Sequence, residues 1–169
     1  DELEKLLRQY PDFPSVEIEA RVALNMFAAL FLRQPFHPQL PRWEERLTTL
    51  MDTSSNVNIR FMSGYYLMFY NTLIGNLDKA DWVFGVLHRS IRSTNPAELV
   101  TSKLLQAYYF WVKGSREESL KAVAAGLEAA GASGIYIWNF RLSSIGAYTS
   151  LASGNSAAAS QYLEKMALF

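Results

Sequence analysis

The feature that most constrains the fold is a glycine that recurs every 39 to 40 residues. Gly75 precedes the segment NLDKADWVF, Gly114 precedes SREESLKAV, and Gly154 precedes NSAAASQYL. Self-similarity at a fixed period of this size is typical of stacked helical hairpins, because one hairpin cannot bury its apolar face without a neighbour. The spacing therefore predicts an all-α protein built from repeated αα-hairpins.

Other positions recur relative to each glycine. A small residue follows five positions later, an apolar residue follows nine positions later, and an aromatic residue lies six positions earlier. The small residues are Ala80, Ser119 and Ala159, the apolar ones are Phe84, Val123 and Leu163, and the aromatic ones are Phe69, Tyr108 and Tyr148. Because a small side chain lets two helices approach closely, we expect the three small residues to be buried where the helices of each hairpin touch.

Local signals place the helix ends. Gly114 is suited to end a helix, since glycine adopts the left-handed conformation without steric penalty. Ser115 with Glu118 three residues later predicts a capping box at the start of the next helix. Asn95 and Glu98, on either side of the Pro96-Ala97 pair, predict a further helix start.

The chain is predicted to form a single helical-repeat domain over residues 1–169, with about nine helices. Hairpins are expected at approximately 15–51, 57–92, 96–131 and 135–168, after a stub of a preceding repeat at 1–10. Ser15 should cap the first complete hairpin, whose turn, QPFHPQLP at 34–41, carries three prolines. The sequence starts at Asp1 rather than at a methionine, so we interpret the chain as a fragment of a longer protein.

Composition limits the classes of partner. The 16 basic and 16 acidic residues give a formal net charge of zero, whereas a dedicated nucleic-acid reader usually carries a basic patch. We therefore expect no direct nucleic-acid binding by this chain. The sequence has no cysteine, which excludes disulfides and cysteine metal sites. It has neither a secretory signal nor an apolar run of transmembrane length, so we expect a cytoplasmic protein that does not bind a membrane.

Motifs for catalysis are missing from the sequence. It contains no GxGxxG, GxxxxGK[ST] or HExxH pattern. The only histidines, His37 and His88, fit structural or solvated roles. The two Glu-Glu pairs are poor acid–base partners, since adjacent residues on a helix point roughly 100° apart. We expect no enzyme activity, no catalytic residue, no metal and no cofactor.

A turn glycine followed by a small residue at five and an apolar residue at nine resembles the tetratricopeptide pattern, whose period is about 34. The longer period here resembles the tetratricopeptide-like superhelix of MalT-type, LuxR-family ATP-dependent transcriptional regulators of bacteria. The segment Leu30–Arg46, LFLRQPFHPQLPRWEER, is similar to that group. The chain departs from the pattern at Ser119, where alanine is usual, and at Gly126 and Met166, where a second alanine is expected. The resemblance implies a right-handed superhelix of stacked hairpins.

In such a superhelix the first helix of each hairpin lines the concave surface, at ten, six and three positions before the turn glycine. The implied ligand- or peptide-binding residues are Tyr65, Phe69, Thr72, Leu104, Tyr108, Trp111, Ser144, Tyr148 and Leu151, with Arg141 on the same face. The implied repeat-packing residues are Gly75, Ala80, Gly114, Ser119, Gly154 and Ala159. An aromatic-lined groove suits a small organic effector or an apolar peptide or protein. Alternatively, these rings pack between repeats and never meet a ligand.

Two functions remain open from the sequence. The resemblance implies an effector- or protein-binding domain of a transcriptional regulator, which passes binding on to ATPase and DNA-binding modules elsewhere in the chain. The alternative is a generic protein-interaction scaffold attached to a signalling enzyme. We also expect self-association through exposed terminal helices, because uncovered apolar faces recruit partners. The residues concerned are Leu3, Leu6 and Leu7 at one end and Tyr162, Leu163, Met166 and Phe169 at the other.

Overall fold

The computed structural model describes residue 5, residues 13–90 and residues 95–167. This part of the chain forms eight α-helices and no β-strand, which confirms the all-α prediction. The helices are α1 Val16–Arg33, α2 Leu40–Thr53, α3 Val57–Leu73, α4 Leu77–Ser90, α5 Pro96–Val112, α6 Arg116–Ser133, α7 Asn139–Ala152 and α8 Ser156–Met166. The predicted ninth helix, over residues 1–10, lies outside the described residues except for Lys5.

Two of the predicted helix starts are confirmed. The Ser15 hydroxyl accepts a hydrogen bond from the backbone N–H of Ile18 at 3.3 Å. The Asn95 side chain accepts one from the N–H of Ala97 at 3.0 Å. In each case a side chain satisfies an amide that the first helical turn leaves without a partner.

The capping box predicted at Ser115 is wrong. Its hydroxyl makes no capping hydrogen bond to any residue that the structure describes. A capping box also needs the N–H of the capping residue for the glutamate, but the Ser115 N–H already donates to the carbonyl of Phe110 at 2.9 Å. The serine therefore belongs to the turn that closes α5, and Glu118 has no amide there to accept from.

The three recurring glycines form the same turn. Gly75, Gly114 and Gly154 all have left-handed backbones, with φ of 77°, 75° and 74°. At each turn the N–H after the glycine donates to the carbonyl four residues before it. These pairs are Asn76 to Asn71 at 2.8 Å, Ser115 to Phe110 at 2.9 Å, and Asn155 to Ser150 at 2.9 Å. The repeat seen in the sequence is therefore a repeat of backbone geometry, and it needs glycine because φ is positive.

The chain divides into two compact units, Asp1–Tyr70 and Asn71–Phe169. In the first unit, α1 packs against α2, and an ion pair of 2.6 Å between Glu19 and Arg46 joins the two helices. Phe27 of α1 meets the ring of Tyr70 edge-on, at 5.2 Å between ring centroids. The Tyr70 hydroxyl donates to the carbonyl of Pro35 at 3.2 Å, which ties α3 to the proline-rich turn.

In the second unit, α5 and α7 run side by side in the same direction. The Trp138 indole N–H donates to the Thr101 hydroxyl at 3.0 Å near the start of both helices. Near their ends, the rings of Trp111 and Tyr148 stack with centroids 6.0 Å apart. Both contacts join residues 37 positions apart. The helices α5 and α7, each the first of its hairpin, therefore keep the same register along their length.

The small residues of the repeat are buried, as predicted. Ala80 and Ser119 are fully inaccessible to solvent, and Ala159 is nearly so. The Ser119 hydroxyl donates to the carbonyl of Ala107 on α5 at 2.9 Å, so this position lies where the helices of one hairpin meet. Gly126, which departs from the pattern, also marks a close approach, since a Cβ there would lie 2.9 Å from a methyl carbon of Leu142 on α7.

The last helix turns two of its large residues inward. The ring of Tyr162 lies against Gly146 of α7, and the Met166 sulfur lies 3.7 Å from the Ser144 hydroxyl oxygen. Leu163 is exposed. The uncovered side expected for this helix therefore includes Leu163 but only part of Tyr162 and Met166, while Phe169 lies outside the described residues.

Candidate functional site

Two of the predicted binding residues lie in the first unit and are half-buried. The ring of Phe69 packs edge-on against Phe31 of α1, with centroids 5.8 Å apart. The ring of Tyr65 meets that of Tyr66 at 5.2 Å. Because Phe31 is a core residue, Phe69 serves at least in part to pack helices together.

Two further predicted residues are buried. Leu104 belongs to the core of the second unit, together with Ala107, Val123 and Leu142. Thr72, in the last turn of α3, is also buried. Each of these side chains leaves little surface for a ligand, because its neighbours already cover it.

The remaining aromatic positions come together as a cluster of three rings, Tyr108, Trp111 and Tyr148. Tyr108 lies 5.9 Å from Trp111, and Trp111 stacks on Tyr148 with 27° between the ring planes. Tyr148 is 60% exposed and Trp111 is 37% exposed, whereas Tyr108 is half-buried. Leu151, one turn beyond Tyr148, is exposed as well. We call Tyr108, Trp111 and Tyr148 the aromatic cluster.

The two polar residues predicted for this face differ in their surroundings. Arg141 is exposed, and it forms no ion pair or hydrogen bond with the residues that the structure describes. The Ser144 hydroxyl donates to the carbonyl of Phe140 at 2.8 Å and contacts the Met166 sulfur. Arg141 therefore presents a guanidinium to solvent, while the Ser144 hydroxyl is engaged within its own hairpin.

Burial affects the ionisation of Tyr108. It raises the pKa of the Tyr108 hydroxyl above the ordinary value for tyrosine. The Tyr108 phenol therefore stays protonated at neutral pH. The only charged residue of α7 is Arg141.

A second cluster, formed by Asp81, Tyr109 and Lys113, was not predicted from the sequence. The Tyr109 hydroxyl donates to the Asp81 carboxylate of α4, and the Lys113 ammonium lies 2.9 Å from the same carboxylate. Phe84 stacks on the Tyr109 ring at 4.8 Å. Only the four-residue spacing of Tyr109 and Lys113 is visible in sequence, and the carboxylate comes from another helix. This cluster ties α4 to α5.

These hydrogen bonds shift the pKa values of all three groups. The bonds from Tyr109 and Lys113 lower the pKa of the Asp81 carboxyl. Burial, followed by the bond to Asp81, raises the pKa of the Tyr109 hydroxyl. The bonds to Tyr109 and Asp81 raise the pKa of Lys113. At neutral pH the cluster is thus a fixed carboxylate–ammonium pair with a protonated phenol, and its charges cancel.

Two further findings concern metal ligands and membrane-spanning helices. In the part of the chain that is described, no three histidine or acidic side chains converge as metal ligands. No helix of the described ranges combines the length and the apolar character needed to cross a bilayer.

The fold and this surface define an all-helical protein of paired helices that carries an exposed aromatic cluster on two parallel helices. Comparisons with protein-family models, with curated proteins and with solved structures found no match to this chain.

Proposed function

We propose that this chain is a non-catalytic binding domain of a bacterial transcriptional regulator of the MalT-like, LuxR-family type. Its aromatic cluster receives an effector or a partner protein. Binding is passed to ATPase and DNA-binding modules elsewhere in the full-length protein. The observation that carries the proposal is the stack of Trp111 on Tyr148, because two large rings from separate hairpins pack on each other and remain exposed.

A pair of exposed aromatic rings offers contact area to a partner. Large aromatic side chains contribute most of the contact energy at interfaces, because they bury much area with few rotatable bonds. Here the exposed fraction of Tyr148 is greater than that of Tyr108, which sits deeper on the neighbouring helix. The half-buried ring of Tyr108 and the exposed rings of Trp111 and Tyr148 together form an apolar surface that a partner can contact.

We also propose a tetratricopeptide-like superhelix as the architecture. The identical turns at Gly75, Gly114 and Gly154 support it, since equal local geometry at equal spacing generates repeated stacking. The common register of α5 and α7 supports it within the second unit. In this architecture first helices stand next to first helices, as α5 and α7 do.

The proposal is tested by replacing cluster residues in the chromosomal gene and measuring transcripts by RNA sequencing. The variants are Trp111→Ala and Tyr148→Ala. The chain offers matched controls away from the cluster, Trp82→Ala and Tyr136→Ala, whose side chains are 42% and 52% exposed. Thermal melts of the purified chains, followed by circular dichroism, check that all four variants fold.

We expect both cluster variants to change a common set of transcripts several-fold and both controls to leave that set unchanged. Folded cluster variants with wild-type transcript levels would contradict the regulatory role. If the cluster variants lose a bound signalling enzyme without any change in transcription, the scaffold alternative holds instead.

A further inference from the structure

We infer that the aromatic cluster and Arg141 together bind an extended polypeptide segment with a carboxylate and an apolar ring about three residues apart. The inference rests on the proposed function, because it names the class of partner for the same surface. It adds that the partner must carry a negative charge, which the aromatic rings alone do not require.

One charge on this face lacks a described partner. Arg141 is the one charged residue of α7, and no described residue pairs with it. The nearest charge in sequence to Trp111 is Lys113, which the Asp81 carboxylate already neutralises at 2.9 Å. Arg141 is therefore the charge that a partner lying on α7 must accommodate.

The spacing of Arg141 and Tyr148 along α7 sets the spacing of the groups that a partner must present. Arg141 and Tyr148 are seven residues apart, close to two helical turns, so both project from the same side of the helix. Their separation along the axis is about 10 Å, at roughly 1.5 Å per residue. A chain in the extended polyproline II conformation rises about 3.1 Å per residue and makes one turn every three residues, so side chains three residues apart lie on the same side and about 9 Å apart.

Arg141 and the aromatic rings select the side chains of a partner. A partner that covers Arg141 removes water from the guanidinium, which is unfavourable unless an anion replaces the water. A carboxylate does so with two parallel hydrogen bonds, whereas a lysine placed there is repelled. At the other end, the faces of Trp111 and Tyr148 suit a ring that can stack on them.

The openness of this surface favours a polypeptide over a small molecule. Small-molecule sites are concave and enclose most of the ligand. Tyr148 and Leu151 are instead more than half exposed, so this face is open. An open surface with exposed apolar side chains and one charge fits a chain segment that lies along α7 and continues beyond it.

The experiment titrates the 169-residue chain, labelled with ¹⁵N, with acetylated and amidated peptides. The probes are AEAAWA and its reverse, AWAAEA, because the direction of the bound segment is open. Matched peptides replace the glutamate with glutamine or lysine. The shift of the Trp111 indole signal, assigned from Trp111→Phe, gives each dissociation constant.

We expect the better glutamate peptide to bind at least fivefold more tightly than its glutamine counterpart and at least tenfold more tightly than its lysine counterpart. The charge reversal Arg141→Glu should invert this order, so that the lysine peptide binds best. Arg116→Glu, at an exposed arginine in the first turn of α6, should keep the wild-type order. Tyr148→Ala should weaken every peptide.

Equal binding of glutamate and lysine peptides that depends on Tyr148 would overturn the inference and leave the proposed function standing. Binding that survives both Trp111→Ala and Tyr148→Ala would overturn both, because it would lie elsewhere. The absence of any binding at millimolar peptide also overturns the inference, and the transcript experiment then decides the proposed function independently.

Discussion

The hydroxyl of Ser119 on α6 lies 3.3 Å from the hydroxyl of Thr149 on α7, and both residues are fully buried. The same Ser119 hydroxyl donates to the carbonyl of Ala107 on α5. One small polar side chain thus connects three helices and both hairpins of the second unit. Alanine, the usual residue at this position of the resembled pattern, would fill the space without making these bonds.

Replacing Ser119 with alanine should lower the free energy of unfolding by about 1 kcal/mol, because a buried hydrogen bond is lost. Urea denaturation of the purified chain measures the change. Ser160→Ala, at an exposed serine within α8, is the matched control and should leave stability unchanged or slightly raised. Thr149→Val in both backgrounds gives the coupling between the two hydroxyls, and a coupling near zero would contradict the contact.

Two helical glycines should respond to alanine in opposite directions. A Cβ at Gly146 would lie 2.7 Å from the Tyr162 ring, whereas one at Gly131 meets nothing within 4 Å. Gly131→Ala should therefore stabilise the chain by about 0.5–1 kcal/mol through helix propensity.

Gly146→Ala should instead destabilise it by about 1–2 kcal/mol through overpacking. Thermal melts of the two single variants test the pair. Equal stabilisation by both would mean that α8 packs less closely on α7 than the Tyr162 contact indicates.

Features encoded by local chemistry could be predicted from the sequence. The left-handed turns at Gly75, Gly114 and Gly154 follow from a residue type that alone adopts positive φ easily. The caps at Ser15 and Asn95 follow from short side chains that reach an amide two or three residues on. The burial of the small residue five positions after each glycine follows from the repeat itself.

Features that depend on a second helix could not be predicted. Tyr108 and Tyr148 both lie six positions before a turn glycine, yet Tyr108 is half-buried and Tyr148 is exposed, because different neighbours cover them. The Asp81 carboxylate pairs with Tyr109 across two helices, and no local pattern marks that meeting. Ser115 does not form the predicted capping box, because its N–H already donates to a carbonyl of the preceding turn.

Overpacking at Ala159 tests the close approach of α7 and α8. Ala159 is almost completely buried, so Ala159→Leu should lower the free energy of unfolding by about 1–3 kcal/mol. Ala157→Leu, at an exposed position two residues earlier on the same helix, should change it little. Guanidinium denaturation of both variants measures the difference. If the two variants were equally stable, Ala159 would not lie at the contact between these helices.

The Asp81 cluster predicts a dependence of stability on pH. Hydrogen bonds from Tyr109 and then Lys113 lower the pKa of Asp81 below its ordinary value of 3.8. A carboxyl whose pKa is lower in the folded state contributes stability above pH 3.8, and this contribution is lost as the pH falls through the folded-state pKa. Asp81→Asn should therefore destabilise the chain at pH 7, by at most about 1 kcal/mol, since Asp81 is partly exposed.

The difference between wild type and Asp81→Asn should shrink as the pH is lowered below 3.8, since protonated Asp81 and asparagine are both uncharged. Urea denaturation at a series of pH values from 2 to 7 measures it. Asp52→Asn, at an exposed carboxyl near the end of α2, provides the reference for changes in overall charge. A difference for Asp81→Asn that persists unchanged at pH 2 would mean that packing, rather than the carboxylate's bonds to Tyr109 and Lys113, holds α4 against α5.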